Sequence, residues 1–136
     1  MKLSELVLHL PLAFTSLFVA ILFLQSGLDK VFNYKGNLEY LSGHFAKSPL
    51  AKGVPMMLPL ITLMEVATGV LAAIGLIYLI WAGSTVVLFY ASVLGAGSLT
   101  ALFFGQRMAQ DYPGAAVLVP YFLLLIAMMY LSSGVR

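Results

Sequence analysis

Residues 56–76 read MMLPLITLMEVATGVLAAIGL, and Glu65 is the one charged side chain in this run. A helix of about 20 apolar residues is long enough to cross the hydrocarbon core of a bilayer. At about 1.5 Å of rise per residue, Glu65 lies roughly 14 Å from the start of such a helix, close to the middle of the membrane. The stretch therefore predicts a transmembrane helix with a carboxyl group at its centre.

The rest of the chain has the same apolar character. Of its 136 residues, 62% are hydrophobic and 9% are charged, whereas a soluble domain has about a quarter charged residues. Apolar runs predict membrane spans at about residues 8–31, 56–76, 79–104 and 113–133, which form a single domain over residues 1–136. The expected fold class is an all-α membrane protein, a four-transmembrane-helix bundle. A short amphipathic helix is expected in the polar connection between spans 1 and 2.

Turn and cap residues set the expected boundaries of the spans. Gly75 and the residues just after it leave room for a tight turn, so spans 2 and 3 are expected to be antiparallel neighbours. Asp111 precedes Pro113 and is a candidate N-cap for the fourth span.

Basic residues are distributed unevenly between the two ends of the predicted bundle. We call the end with the connections after spans 1 and 3 the loop side; it has five basic residues, and the terminal side has two. The five are Lys30, Lys35, Lys47, Lys52 and Arg107, and the two are Lys2 and Arg136. The positive-inside rule therefore predicts that the loop side lies in the cytoplasm and the termini outside. The expected location is the bacterial inner membrane, which the chain would cross several times.

Composition argues against several classes of chemistry. The chain has no cysteine, which excludes disulfides, thiolate nucleophiles and cysteine-bound clusters. His9 and His44 are far apart, so no metal or haem site is expected. No phosphate-binding loop or nucleotide fingerprint is present, and a net charge of +2 does not indicate nucleic-acid binding.

Glu65 has two interpretations. An ionised carboxylate at this depth costs several kcal/mol unless it is paired or hydrated. In the functional interpretation, Glu65 is catalytic: it accepts a proton, or it binds a carbonyl or hydroxyl group. In the structural interpretation, a neutral Glu65 hydrogen-bonds to a neighbouring helix and fixes the bundle. The sequence leaves both open.

Most other polar side chains of the spans lie in the loop-side half. They suggest a single polar site around Glu65, while the alternative is that the charged ones sit at the interface and extend to water. The candidate ligand-binding residues are Gln25, Asp29, Lys30, Thr62, Gly69 and Arg107. The small residues of Gly95–Gly97 in span 3 have two readings as well, ordinary helix packing or a slot for a flat ring or a lipid tail.

Two stretches carry a family resemblance. Span 1 ends with FLQSGLDKVF (residues 23–32), and span 2 reads LPLITLMEVATGVLAAIGL (residues 58–76). This pattern resembles the DoxX family over nearly the whole chain. The resemblance implies an association with membrane redox chemistry, since the family includes the DoxD-type subunit of thiosulfate:quinone oxidoreductase. It also implies quinone binding at the motif positions Gly27, Lys30, Glu65 and Gly69.

Three functions follow as hypotheses. The first is a small membrane subunit that binds a quinone or lipid near Glu65 and supports a redox complex; any enzymatic activity would be that of a quinone-linked oxidoreductase subunit acting with a partner. The second is a non-catalytic accessory or assembly subunit. The third is a small transporter, although the two halves of the chain show no self-similarity. The expected partners are the bilayer and either another membrane protein or further copies of the chain.

Overall fold

The computed structural model describes residues 3–134 and contains four long helices and a short one. The helices are α1 (Leu3–Phe32), α2 (Tyr34–His44), α3 (Val54–Ala82), α4 (Val86–Met108) and α5 (Tyr112–Ser132), with a 3-10 turn at Ala51–Gly53 before α3. Helices α1, α3, α4 and α5 are long and apolar enough to cross a membrane. The predicted fold class is therefore confirmed, with α2 as the short helix in the first connection. Lys2 and Arg136, which enter the count of basic residues, lie outside the described residues.

The outside of the bundle is apolar. None of the four spans buries more than 39% of its most apolar stretch inside the protein. Large side chains such as Phe18, Leu63 and Leu123 are more than half exposed. Apolar surface of this extent requires lipid around it, which identifies the chain as a multi-pass membrane protein.

The predicted turn after Gly75 is wrong, because α3 continues to Ala82. Gly83 ends the helix with a left-handed φ of 69°, and its N–H donates to the carbonyl of Leu79. Glycine takes up this conformation without steric cost, which is why it ends helices. Gly75 is buried instead, and a Cβ there would lie 2.6 Å from Leu88 Cδ2. Its small size serves the contact between α3 and α4, which are antiparallel as expected.

Helix α3 is the centre of the bundle, because it packs against both α1 and α4. Two glycines bring α1 and α3 close together. A Cβ on Gly27 would lie 2.9 Å from the backbone nitrogen of Val66, and a Cβ on Gly69 would lie 2.8 Å from that of Leu24. Both contacts are backbone contacts, so neither can be relieved by moving a side chain. They hold α1 against α3 next to Glu65, at the levels of Val66 and Gly69 on its terminal side.

Gly95 in α4 also serves helix packing. A Cβ at this position would lie 2.6 Å from Leu125 Cδ1 and 2.9 Å from Thr68 Cγ2. The space beside Gly95 is thus filled by α5 and α3, and no slot for a ring exists there. Packing is the correct interpretation at Gly95, whereas Gly97 is exposed on the outer face of α4.

Adding one methyl group at Gly27 tests the close approach of α1 and α3. Gly27→Ala is expected to lower stability by about 1–3 kcal/mol, because the added carbon overlaps the backbone of Val66. Gly97→Ala is the matched control, since the nearest atom to its Cβ would be Met64 Cε at 3.9 Å. Unfolding followed by circular dichroism in detergent measures both. Equal stability of the two variants would contradict the close contact.

Candidate functional site

Three side chains from α1 and α3 form a partly buried polar cluster: Ser26, Lys30 and Glu65. Lys30 Nζ lies 3.0 Å from Glu65 Oε2 and forms an ion pair with it. The Ser26 hydroxyl donates to the same carboxylate oxygen at 2.7 Å and accepts from Lys30 Nζ at 2.9 Å. Each member thus contacts the other two, and the cluster joins the two helices.

Helical spacing explains how α1 supplies two of these side chains. Ser26 and Lys30 are four residues apart and therefore lie on the same face, one turn from each other. Lys30 is in the last turn of α1, where a lysine normally extends outward to water. Here its ammonium group turns back into the membrane and approaches the carbonyl oxygen of Ser26 at 3.4 Å. The ammonium group of Lys30 therefore faces Glu65 rather than solvent.

The cluster lies deep in the bundle. Glu65 is about 16 Å along α3 from Val54, and its side chain is 2% exposed, compared with 18% for Lys30. Removing such charges from water costs free energy. A buried pair offsets that cost through the attraction of two charges at short distance and through additional hydrogen bonds. The Ser26 hydroxyl supplies one such bond. Glu65 thus joins α1 to α3 through its contacts with Lys30 and Ser26, and a link to a neighbouring helix is what the structural interpretation expects.

The structure separates three of the candidate residues, Gln25, Asp29 and Arg107, from this cluster. Gln25 and Asp29 are exposed on α1, and Asp29 Oδ2 accepts from Asn37 of α2 at 3.4 Å. Arg107 is exposed and stacks over the ring of Tyr112, with its guanidinium carbon 4.5 Å from the ring centroid. These residues lie at the loop-side surface of the bundle.

Thr62 and Gly69 lie on α3 within a turn of Glu65, and both are buried. The Thr62 hydroxyl donates to the carbonyl of Leu58 in its own helix. Gly69 receives Leu24 of α1. Thr62 therefore has its hydrogen bond satisfied locally, and Gly69 contributes space rather than a polar contact.

A cavity of about 130 Å³ lies next to the cluster at the loop side. Its wall is formed by α2, the first half of α3 and the last turns of α4, and Lys30 reaches it from α1. The residues around it include Lys30, Tyr40, His44, Leu58, Ile61 and Gly105. It thus combines mainly apolar walls with a few polar groups, as is typical of small-molecule sites.

His44 connects the end of α2 to the end of α4 and to the start of α5 through side-chain contacts. Its Nε2 lies 2.7 Å from Gln106 Oε1 and 3.5 Å from Asp111 Oδ2. Asp111 is also the N-cap of α5, as predicted, and accepts from the backbone N–H of Gly114. The contact keeps α2 over the cavity, because α2 buries none of its own residues.

The volume of the cavity indicates which groups could fit. An engineered protein cavity of about 150 Å³ binds benzene, so about 130 Å³ accommodates one six-membered ring. Within residues 3–134, no group of three or more His, Asp or Glu side chains is arranged to hold a metal ion.

Sequence reasoning did not single out Ser26, His44 or Gln106. Ser26 could have been found from its spacing of four residues before Lys30. His44 and Gln106 are 62 residues apart, and neither local spacing nor hydropathy indicates that they meet.

Comparison with known proteins supports a family assignment. The model of the DoxX family matches residues 13–98. The match includes Ser26, Lys30 and Glu65 and covers more than half of the chain. The chain therefore belongs to the DoxX family. No curated protein and no solved structure matches it.

The ion pair predicts unequal effects of removing either partner. Lys30→Met is expected to cost about 3–5 kcal/mol of stability, because it leaves the carboxylate of Glu65 buried without a cation. Glu65→Met is expected to cost less, since Lys30 is partly exposed and can extend to water. The double variant is expected to be more stable than Lys30→Met alone. Unfolding in mixed detergent micelles measures all three, and additive losses would contradict the pairing.

Proposed function

We propose that this DoxX-family protein binds the head group of a membrane quinone in the loop-side cavity and supports a membrane redox complex. The observation that carries the proposal is one cationic side chain, Lys30, at the wall of a mainly apolar cavity of about 130 Å³. A quinone has the matching chemistry: a flat six-membered ring, carbonyl oxygens that accept hydrogen bonds, and an apolar tail that remains in lipid.

In this proposal Lys30 binds the head group, and Glu65 and Ser26 position Lys30. Lys30 Nζ has three N–H donors, and the bond to the Ser26 carbonyl at 3.4 Å is the longest of its contacts. That donor can turn to a quinone oxygen while the bonds to Glu65 and the Ser26 hydroxyl remain. A direct proton transfer to Glu65 stays a prediction from the sequence, because Glu65 Oε2 already accepts hydrogen bonds from Ser26 and Lys30.

The electrons in this proposal come from another protein. The chain has no cysteine, and its described residues outside the four spans amount to α2 and short connections. The protein would thus act as a subunit that holds quinone close to the redox centre of a partner. A location in the bacterial inner membrane is part of the same proposal, and the charge bias supports an orientation with the loop side in the cytoplasm.

Blocking the cavity tests the proposal. Gly105 lines it, and a Cβ there would point at Phe45 Cζ, 3.4 Å away, so Gly105→Leu fills the space. Gly97→Leu is the matched control, because Gly97 is exposed on the same helix and a Cβ there would meet only Met64 Cε, at 3.9 Å. In native mass spectrometry with decylubiquinone, the wild type and Gly97→Leu are expected to carry one bound quinone. Gly105→Leu is expected to lose at least tenfold in occupancy.

Two results would contradict this function. If the wild type binds no quinone, or if Gly105→Leu binds as well as the wild type, the cavity is not a quinone site. A stable complex with one partner protein and no bound quinone would favour the alternative, an accessory subunit without a ligand of its own.

A further inference from the structure

All but one of the buried hydroxyl groups among the described residues follow one pattern. Each donates to a backbone carbonyl three or four residues earlier in its own helix, which is how Ser and Thr normally satisfy themselves in transmembrane helices. The residues that do so are Ser16, Thr62, Thr68, Ser92 and Ser132.

Ser98 is the exception. Its side chain is fully buried in α4, with 0% exposure, and its Oγ has no hydrogen-bond partner among the described residues. A buried hydroxyl without a partner costs free energy, whereas an alanine at the same place would not. The described residues thus leave the Ser98 hydroxyl without a hydrogen-bond partner.

The register between α3 and α4 places Ser98 level with Glu65. Gly95 packs against Thr68, and the two helices are antiparallel. Moving three residues forward along α4 from Gly95 leads to Ser98, and moving three residues back along α3 from Thr68 leads to Glu65. Two buried polar side chains from different helices therefore lie at the same depth.

Ser98 also lies on the face of α4 that forms the cavity wall. The wall residues Ala101, Leu102 and Gly105 follow Ser98 by three, four and seven residues, which is the spacing of one helical face. Ser98 is therefore one turn closer to the middle of the membrane than the wall. On α3, Glu65 follows the wall residue Ile61 by one turn in the same direction.

Ser98 is not itself among the residues around the cavity. We propose that the ligand head group extends one turn beyond the cavity wall and that the Ser98 hydroxyl there donates a hydrogen bond to one of its oxygens. This inference rests on the proposed function and extends it to a third helix. Lys30 at the cavity wall and Ser98 one turn deeper are then two donors to the head group, and Glu65 neutralises Lys30. Donors from two sides select a ring that carries an acceptor oxygen, such as the carbonyl of a quinone, over an apolar ring of the same size.

The experiment compares Ser98→Ala with Ser92→Ala. Ser92 is on the same helix and is also fully buried, but its hydroxyl bonds to the carbonyl of Phe89. For the full chain in detergent, affinity is measured for decylubiquinone and for decylbenzene, which has no oxygen. Ser98→Ala is expected to weaken decylubiquinone binding roughly three- to tenfold and to leave decylbenzene binding unchanged. Ser92→Ala is expected to change neither.

Thermal unfolding without ligand separates binding from folding. Because the Ser98 hydroxyl has no partner in the protein, Ser98→Ala is expected to keep or raise the unfolding temperature of the ligand-free protein. If Ser98→Ala binds decylubiquinone as tightly as the wild type, or if both variants lose affinity together with stability, the inference fails and the proposed function remains. If the wild type does not bind decylubiquinone, both fail.

Discussion

The ion pair between Lys30 and Glu65 is the interaction on which the rest of this structure depends. A carboxylate near the middle of a membrane needs a cation, and Lys30 supplies it from the last turn of the neighbouring helix. Reaching it requires α1 and α3 to be in close contact, which Gly27 and Gly69 permit just on the terminal side of Glu65. The polar cluster and the tightest helix contact of the bundle are thus parts of one arrangement, in which backbone proximity makes a buried charge pair possible.

The same pair shapes the candidate site. Because Lys30 turns inward, its cation lies at the wall of a cavity that is otherwise mainly apolar. Glu65 keeps the local charge balanced, so the site can accept a neutral ligand with an acceptor oxygen without gaining a net charge. Helix α2 covers the cavity and is held by His44 at the connection between α4 and α5. In the proposed function, the charge pair between Lys30 and Glu65 therefore also provides a polar anchor for a ligand dissolved in the membrane.

Much of the fold could be predicted from the sequence, and much of the site could not. Hydropathy located the four spans, and Asp111 was correctly identified as a cap. Hydropathy is uniform across Gly75 and Gly83, however, so it could not show which glycine ends α3. Polar residues were predicted to converge on Glu65, but Asp29 and Lys30 are adjacent, and neighbours on a helix point about 100° apart. Only the packing of α1 decides that Lys30 faces inward and Asp29 faces outward.

The charge state of Glu65 tests the central claim most directly. Infrared difference spectra of the wild type and Glu65→Gln, with carbon-13 in the glutamate carboxyl groups, isolate this residue in lipid nanodiscs at neutral pH. An ion pair with Lys30 predicts that the bands lost in Glu65→Gln are those of an ionised carboxylate. Loss of the carbonyl band of a protonated acid instead would contradict the ion pair, and with it the view that Glu65 holds the cation of Lys30 at the cavity.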